Sequence, residues 1–352
     1  MRHSPRFSVV LQLAVIALGA ALAATGTASN QASLPTVRNL LRMIAQTTDA
    51  EWAAINRGEA IAKVLPTDAR EIAVAGAIRI AASSERLIAR YREIENLKRS
   101  AIVLDLGRFS KPPRPSDLAS AKIEEYNLDL RDCRPGECRV RLSEADIARF
   151  HSEVDWRAAN WRERSRSVWM DVLAGYAAGF ARDGRRALPT FANKHEPLSV
   201  PAELSLVVDR FAFVGEIAPA FLPYLREFGP NLPDGANELL YWSKEDFGVR
   251  PVMRLSHQTI YRPAGSQTIL VATNQIYADH YLDAGLTVTL AIDAAEAGGG
   301  PAFYMVSVNR ARTRSLTGFM RSFVRSAVQG RSRDALQKIL ASTKASLEQT
   351  AR

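Results

Sequence analysis

From Val252 to Val308 apolar and polar residues alternate with a period of two, and that alternation constrains the fold more than any other feature of the chain. Such segments bury one side only when they lie next to one another as strands. On the first, Met253, Leu255, His257, Thr259 and Tyr261 share a face against Val252, Arg254, Ser256, Gln258, Ile260 and Arg262. The former set is drier and is expected to point inward. On the second, Leu270, Ala272, Asn274, Ile276, Ala278 and His280 alternate with Ile269, Val271, Thr273, Gln275, Tyr277 and Asp279. Leu286, Val288, Leu290 and Ile292 form a third inward row, and a strand from Phe303 to Val308 follows the Gly298-Gly299-Gly300-Pro301 turn. Short connections between such segments predict an antiparallel meander of about four strands.

Elsewhere the period changes. Val37, Leu40, Leu41, Ile44, Trp52 and Ile55 give a broken helical stripe that Gly58 ends, and strands are predicted over Glu59–Leu65, Glu71–Ala81 and Ala101–Phe109. Ser83 and Ser84 are placed to cap a helix bearing Leu87, Ile88, Tyr91 and Ile94. The block 143–240 reads as a helical insertion. Ser143 and Asp146 have capping-box spacing, and Val168, Trp169, Val172, Leu173, Tyr176, Ala177 and Phe180 make one clean helical face. Two shorter helices are expected around Ala202–Val214 and Glu216–Glu227. A basic amphipathic helix then carries Leu316, Phe319, Met320, Phe323, Val324, Ala327 and Val328 on one side and Arg314, Arg321 and Arg325 on another, with Gly330 expected to kink or divide it. Such a helix suits an anionic membrane surface or the flank of a sheet.

The first 28 residues read as a signal peptide. Arg2 and Arg6 precede a nearly continuous apolar run from Phe7 to Ala24, and Ala21-Leu22-Ala23 offers a small-residue cleavage site. A periplasmic or secreted location follows. The remainder divides into 29–142, with an N-terminal helix, strands and a cysteine-bearing hairpin, then the insertion 143–240, then 241–352 with the meander and terminal helix. Net charge is +9, or 9 − 2 = +7 without Arg2 and Arg6, which favours acidic partners. Nucleic acid is not expected, because no reader motif is present. Only two cysteines occur, Cys133 and Cys138, flanking Arg134-Pro135-Gly136-Glu137. Pro-Gly is turn chemistry, so the segment is expected to be a β-hairpin closed by a disulfide in an oxidising compartment.

The order of elements resembles the START-like, or helix-grip, proteins. That resemblance implies an α+β fold in which a curled antiparallel sheet grips a long C-terminal helix and encloses a cavity for apolar molecules. The segments CRPGEC, YWSKEDFG, SHQTIYRP, NQIYADHYLDAGL and VNRAR are also similar to a group of uncharacterised exported bacterial proteins. That second likeness implies export and no particular reaction.

Candidate chemistry centres on His257 and His280, expected to converge with Tyr261 and Asn274 on the inward faces. A buried polar group without a partner costs about 1 to 3 kcal/mol, so such residues satisfy one another, bind water or hold a ligand. The leading expectation is a hydrophobic or amphiphilic small molecule, its polar head on His257, Tyr261, Asn274 and His280 and its body against Leu255, Leu270, Ile276 and Val288. An enzyme using the two histidines as acid and base is the alternative. A zinc site would need Asp279 or Asp283 as a third ligand. No motif calls for a metal or organic cofactor. Gly298-Gly299-Gly300 lies between strands, which is the wrong context for a phosphate loop, and no serine elbow occurs.

Overall fold

The computed structural model describes residues 36–97, 103–193, 196–246, 250–295, 300–314 and 321–349. The strands are β1 (Ile61–Val64), β2 (Glu71–Ile80), β3 (Val103–Arg108), β4 (Thr190–Phe191), β5 (Leu198–Ser199), β6 (Ala236–Asp246), β7 (Pro251–Tyr261), β8 (Thr268–Ala278), β9 (Ala284–Ala295) and β10 (Pro301–Arg312). The helices are α1 (Val37–Ala45), α2 (Asp49–Asn56), α3 (Ser84–Arg92), α4 (Ile94–Leu97), α5 (Glu125–Leu128), α6 (Glu144–Glu153), α7 (Trp161–Asp183), α8 (Val200–Val208), α9 (Val214–Ile217), α10 (Phe221–Glu227) and α11 (Arg321–Gln349). The proposed signal peptide lies outside the described residues. The described residues belong to one compact unit.

Period-two patterning produces an antiparallel sheet in the order β1-β2-β10-β9-β8-β7-β6-β3, curled but not closed. Its centre is the meander β6 to β10, one strand longer than the alternation suggests. The additional strand, β6, pairs along its whole length with β7, from Ala236 opposite Tyr261 to Asp246 opposite Pro251. β2 enters from the N-terminal region beside β10, and β3 closes the other edge beside β6.

The two faces carry separate apolar layers. On the inner face Leu255, Leu270, Ala272, Leu286, Val288 and Val306 meet Trp169, Leu173 and Phe180 of α7 and the aliphatic side of α8. On the outer face Val74, Ile78, Ile80, Ile269, Phe303 and Met305 meet Leu87 and Ile88 of α3 and Leu336, Leu340 and Leu347 of α11. Gly76 opens the seat for α11, because a Cβ there would come 2.8 Å from Leu340 Cδ1 and from the Ile61 carbonyl oxygen. α11 runs unbroken through Gly330, contrary to the expected division. Leu316, Phe319 and Met320, three of the apolar residues expected on it, fall outside the described residues, and the side chains of Phe323 and Val324 are not described.

The helical insertion begins with the predicted capping box. Ser143 accepts the Asp146 N–H and the Asp146 side chain accepts from the Ser143 N–H. α7 carries the whole predicted stripe, with Val168, Trp169, Val172, Leu173, Ala177 and Phe180 buried.

The cysteine-bearing segment corrects an expectation. Cys133 and Cys138 are joined, with Cα atoms 4.6 Å apart, but no hairpin flanks them. The backbone groups that a hairpin would pair across the turn are engaged with other segments. Gly136 N–H donates to the Ala192 carbonyl, Ala192 N–H to Leu142, and Arg141 N–H to Asp279. Tertiary hydrogen bonds thus replace the local ladder.

Candidate functional site

β7 and β8 place His257 directly opposite Asn274. Both belong to the inner face, among Leu255, Leu270, Ala272 and Leu286. His257 is 2% exposed, and its Nε2 lies 2.9 Å from Glu238 Oε2, on the neighbouring strand β6. The hydrogen bond to His257 holds the Glu238 carboxyl below its ordinary value of 4.5, against a burial effect that raises it, and Lys111 at 3.7 Å helps. Two aromatic rings cover the imidazole: Phe180 of α7 at 5.1 Å and Phe228, just after α10, at 5.8 Å between centroids.

The other half of this site has no counterpart. Asn274 is 0% exposed, and neither its Oδ1 nor its Nδ2 has a hydrogen-bond partner among the described residues; the same holds for His257 Nδ1. An amide with two idle donors and two idle acceptor lone pairs, surrounded by aliphatic neighbours, is an unmet demand for a polar partner.

Tyr261 lies four residues along β7 from His257 on the same face, stacked on Phe221 with centroids 4.9 Å apart and planes 8° from parallel. Between them Thr259 Oγ1 meets the Tyr224 hydroxyl at 3.2 Å. Burial, with the Glu238 charge nearby, pushes the Tyr224 hydroxyl well above its ordinary value, so it stays protonated as a donor.

His280 does not join this group. The β7–β8 pairing jumps from Ser256 opposite Gln275 to Leu255 opposite Tyr277, leaving Ile276 as an extra residue in a β-bulge. Beyond it the alternation is offset by one, so Tyr277 and Asp279 take the inward places expected for Ala278 and His280. His280 also lies six positions past Asn274, roughly 15 to 20 Å along the strand direction. Convergence of the two histidines is therefore corrected. His280 is buried in its own surroundings, Nδ1 2.9 Å from Asp279 Oδ1, in a tight turn where Leu282 N–H returns to the His280 carbonyl and Tyr281 has φ of 58°.

Asp279 is a junction. Its Oδ1 accepts the Met253 N–H at 3.0 Å, and its Oδ2 accepts Asn127 Nδ2 at 3.0 Å. Beside it opens a narrow cleft of about 20 Å3, room for a single water-sized group such as an ammonium head, between the first half of α7 and the strand ends. On its other side the turn runs into a buried ion network. Asp283 pairs with Arg141 at 2.5 Å and Arg70 at 3.6 Å. Glu203 of α8 pairs with Arg70 at 2.5 Å, Arg312 at 2.6 Å and Arg314 at 3.6 Å, and Asp68 closes on Arg312 at 2.7 Å. Burial raises the Asp283 carboxyl, with Arg141 opposing it. At Glu203 burial also raises, but the guanidinium groups of Arg312 and Arg70 outweigh it and hold the carboxyl low. The network ties five separate segments to one end of the sheet. Among the described residues, no three His, Cys, Asp or Glu side chains are grouped as metal ligands.

Sequence reasoning missed Glu238 because the helical insertion is drawn to residue 240 and alternation is followed only from Val252, although Glu238, Leu240, Trp242 and Lys244 alternate as one face. It also missed Phe180 as a neighbour of His257 and Asn127 as a partner of Asp279, since both arrive through tertiary packing. The chain matches no family model, and no curated protein is significantly similar to it.

Proposed function

We propose that this is an exported protein that binds a hydrophobic or amphiphilic small molecule between the inner face of its sheet and the covering helices α7 and α10. The observation that carries this reading is the Asn274 amide, wholly buried and unpartnered beside the unpartnered His257 Nδ1. A ligand head with both donor and acceptor groups would satisfy all three atoms. Its apolar body would take the place of, or lie beside, the Phe180 and Phe228 rings over Leu255, Leu270 and Val288. The cover is built from separate elements rather than from the sheet itself, so the site opens without breaking the β ladder. The leader-like first 28 residues and the Cys133–Cys138 disulfide support export.

The competing readings have less support. Two imidazoles roughly 15 to 20 Å apart along the sheet cannot act on one reacting atom, whose acid and base must lie within hydrogen-bond reach. An envelope role for the basic helix needs a free cationic face. Of the arginines expected on that face, Arg325 donates to Thr67, and Arg314, which precedes α11, pairs with Glu196 and Glu203. Among the described residues no helix is long and apolar enough to cross a membrane.

Mass spectrometry of organic extracts from protein purified under native conditions tests the proposal. A specific amphiphile near stoichiometric yield is expected from the parent protein, with at least a tenfold lower yield from Asn274→Leu, about 1.4 kcal/mol of lost binding. Equal yields from the two proteins, or extracts empty in both, would contradict it.

A further inference from the structure

The cleft beside Asp279 is distinct from the His257–Asn274 site. Its walls include Trp169 and Leu173 of α7, Ile123, and Tyr277 of β8. Its polar floor is Asn127 and Asp279. Asn127 is 4% exposed; its Nδ2 is committed to Asp279, its main-chain carbonyl takes the Trp169 Nε1–H at 2.8 Å, and its Oδ1 has no donor among the described residues. A carboxylate only accepts, so the amide nitrogen must face Asp279 and the amide oxygen is left over. Asp279 is 3% exposed and is held by two neutral donors and His280; the Arg141 charge acts on it, but no Lys or Arg nitrogen lies within 4.0 Å among the described residues. Lys244, which also borders the cleft, does not supply that charge, because its ammonium is taken by Glu124 and by the Lys122 carbonyl at 2.9 Å.

We infer that this cleft is a binding site for the primary ammonium head of a small organic amine. The idle Asn127 oxygen and the Asp279 carboxylate accept its N–H groups, the Trp169 and Tyr277 side chains line the cleft around its charge, and its alkyl chain leaves along Leu173 and Ile123. The chemistry selects for a cation with hydrogens to donate. A buried carboxylate favours positive charge nearby, an orphan acceptor favours a donor, and indole and phenol faces attract ammonium groups. A neutral alcohol of the same shape would offer one donor and no charge. Tetramethylammonium would offer charge and no donor.

Calorimetric titration of the full protein with n-propylamine hydrochloride, n-propanol and tetramethylammonium chloride, at roughly physiological ionic strength to screen surface charge, tests this assignment. Saturable binding of propylammonium is expected, at least about tenfold tighter than propanol or tetramethylammonium. Asn127→Leu should lose at least about tenfold in amine affinity while Asn274→Leu retains it, which separates this site from the one proposed above. Equal binding of amine and alcohol, no saturable amine binding, or full amine affinity in a folded Asn127→Leu protein would overturn it. The amine-to-alcohol comparison uses the unaltered chain, so the test stands even where the Asn127 variant fails to fold.

Discussion

An amide shielded from water on every side is costly unless something answers it, and Asn274 is such an amide. Replacing it with a nearly isosteric apolar side chain separates the cost from the use. In ligand-stripped protein, Asn274→Leu should raise the free energy of unfolding by about 1 to 3 kcal/mol, measured by urea titration, because an unsatisfied group is removed. In ligand-loaded protein the same change should lower stability. Its neighbour gives a pH signature. Because His257 holds the Glu238 carboxyl below 4.5, the stabilisation from that pair is complete above this value and is lost as pH falls through the depressed one. Glu238→Gln should therefore flatten the decline in stability below about pH 4.5, and an unchanged acid limb would show that the pair contributes nothing. At this scale the sequence was informative for His257, Tyr261 and Asn274, since strict alternation reaches them intact. It failed at His280 because one extra residue, Ile276, reverses the phase, and nothing in a β-branched residue within an apolar run marks a bulge.

Among the elements, α7 decides access. Its last residues reach the imidazole through Phe180, and its C-terminus is pinned at Gly184, where φ is 60° and a Cβ would fall 2.1 Å from the Phe228 carbonyl oxygen. That contact sets Phe228, itself in the left-handed region at φ 47°, against the other side of His257. Gly184→Ala should cost about 1 to 3 kcal/mol from the positive φ alone, and the steric conflict adds to it. It should also quicken ligand exchange, measured by stopped-flow displacement, because the two covering rings lose their common anchor. A Gly184→Ala protein with parental stability would show that the junction is not tight. The helical stripe of α7 was legible, being a long segment with clear periodicity. The path around Cys133 was not, and the hairpin expected there is absent, because Pro-Gly specifies a turn and says nothing about where the flanking N–H groups find carbonyls.

For the whole molecule, the open antiparallel sheet with helices on both faces was readable in outline from the switch between periods two and 3.6. The ion network at one end was not, since Arg70, Arg141, Asp283, Arg312 and Glu203 are scattered through the chain and meet only after folding. Its buried pair of Arg141 and Asp283 is costly to halve and cheap to remove whole. Asp283→Leu should destabilise by about 3 to 5 kcal/mol, and adding Arg141→Met should recover most of that loss. A double variant no better than the single one would mean that the Arg141 bond to the Leu282 carbonyl matters more than its charge.

The central claim is that a bound molecule answers the Asn274 amide. The side-chain amide resonances of Asn274, assigned by their loss in Asn274→Leu, report on this directly when recorded before and after organic extraction and refolding. A clear shift on extraction, reversed when the extract is returned, is predicted. Resonances unchanged by extraction would contradict the claim, leaving the amide to ordinary buried water.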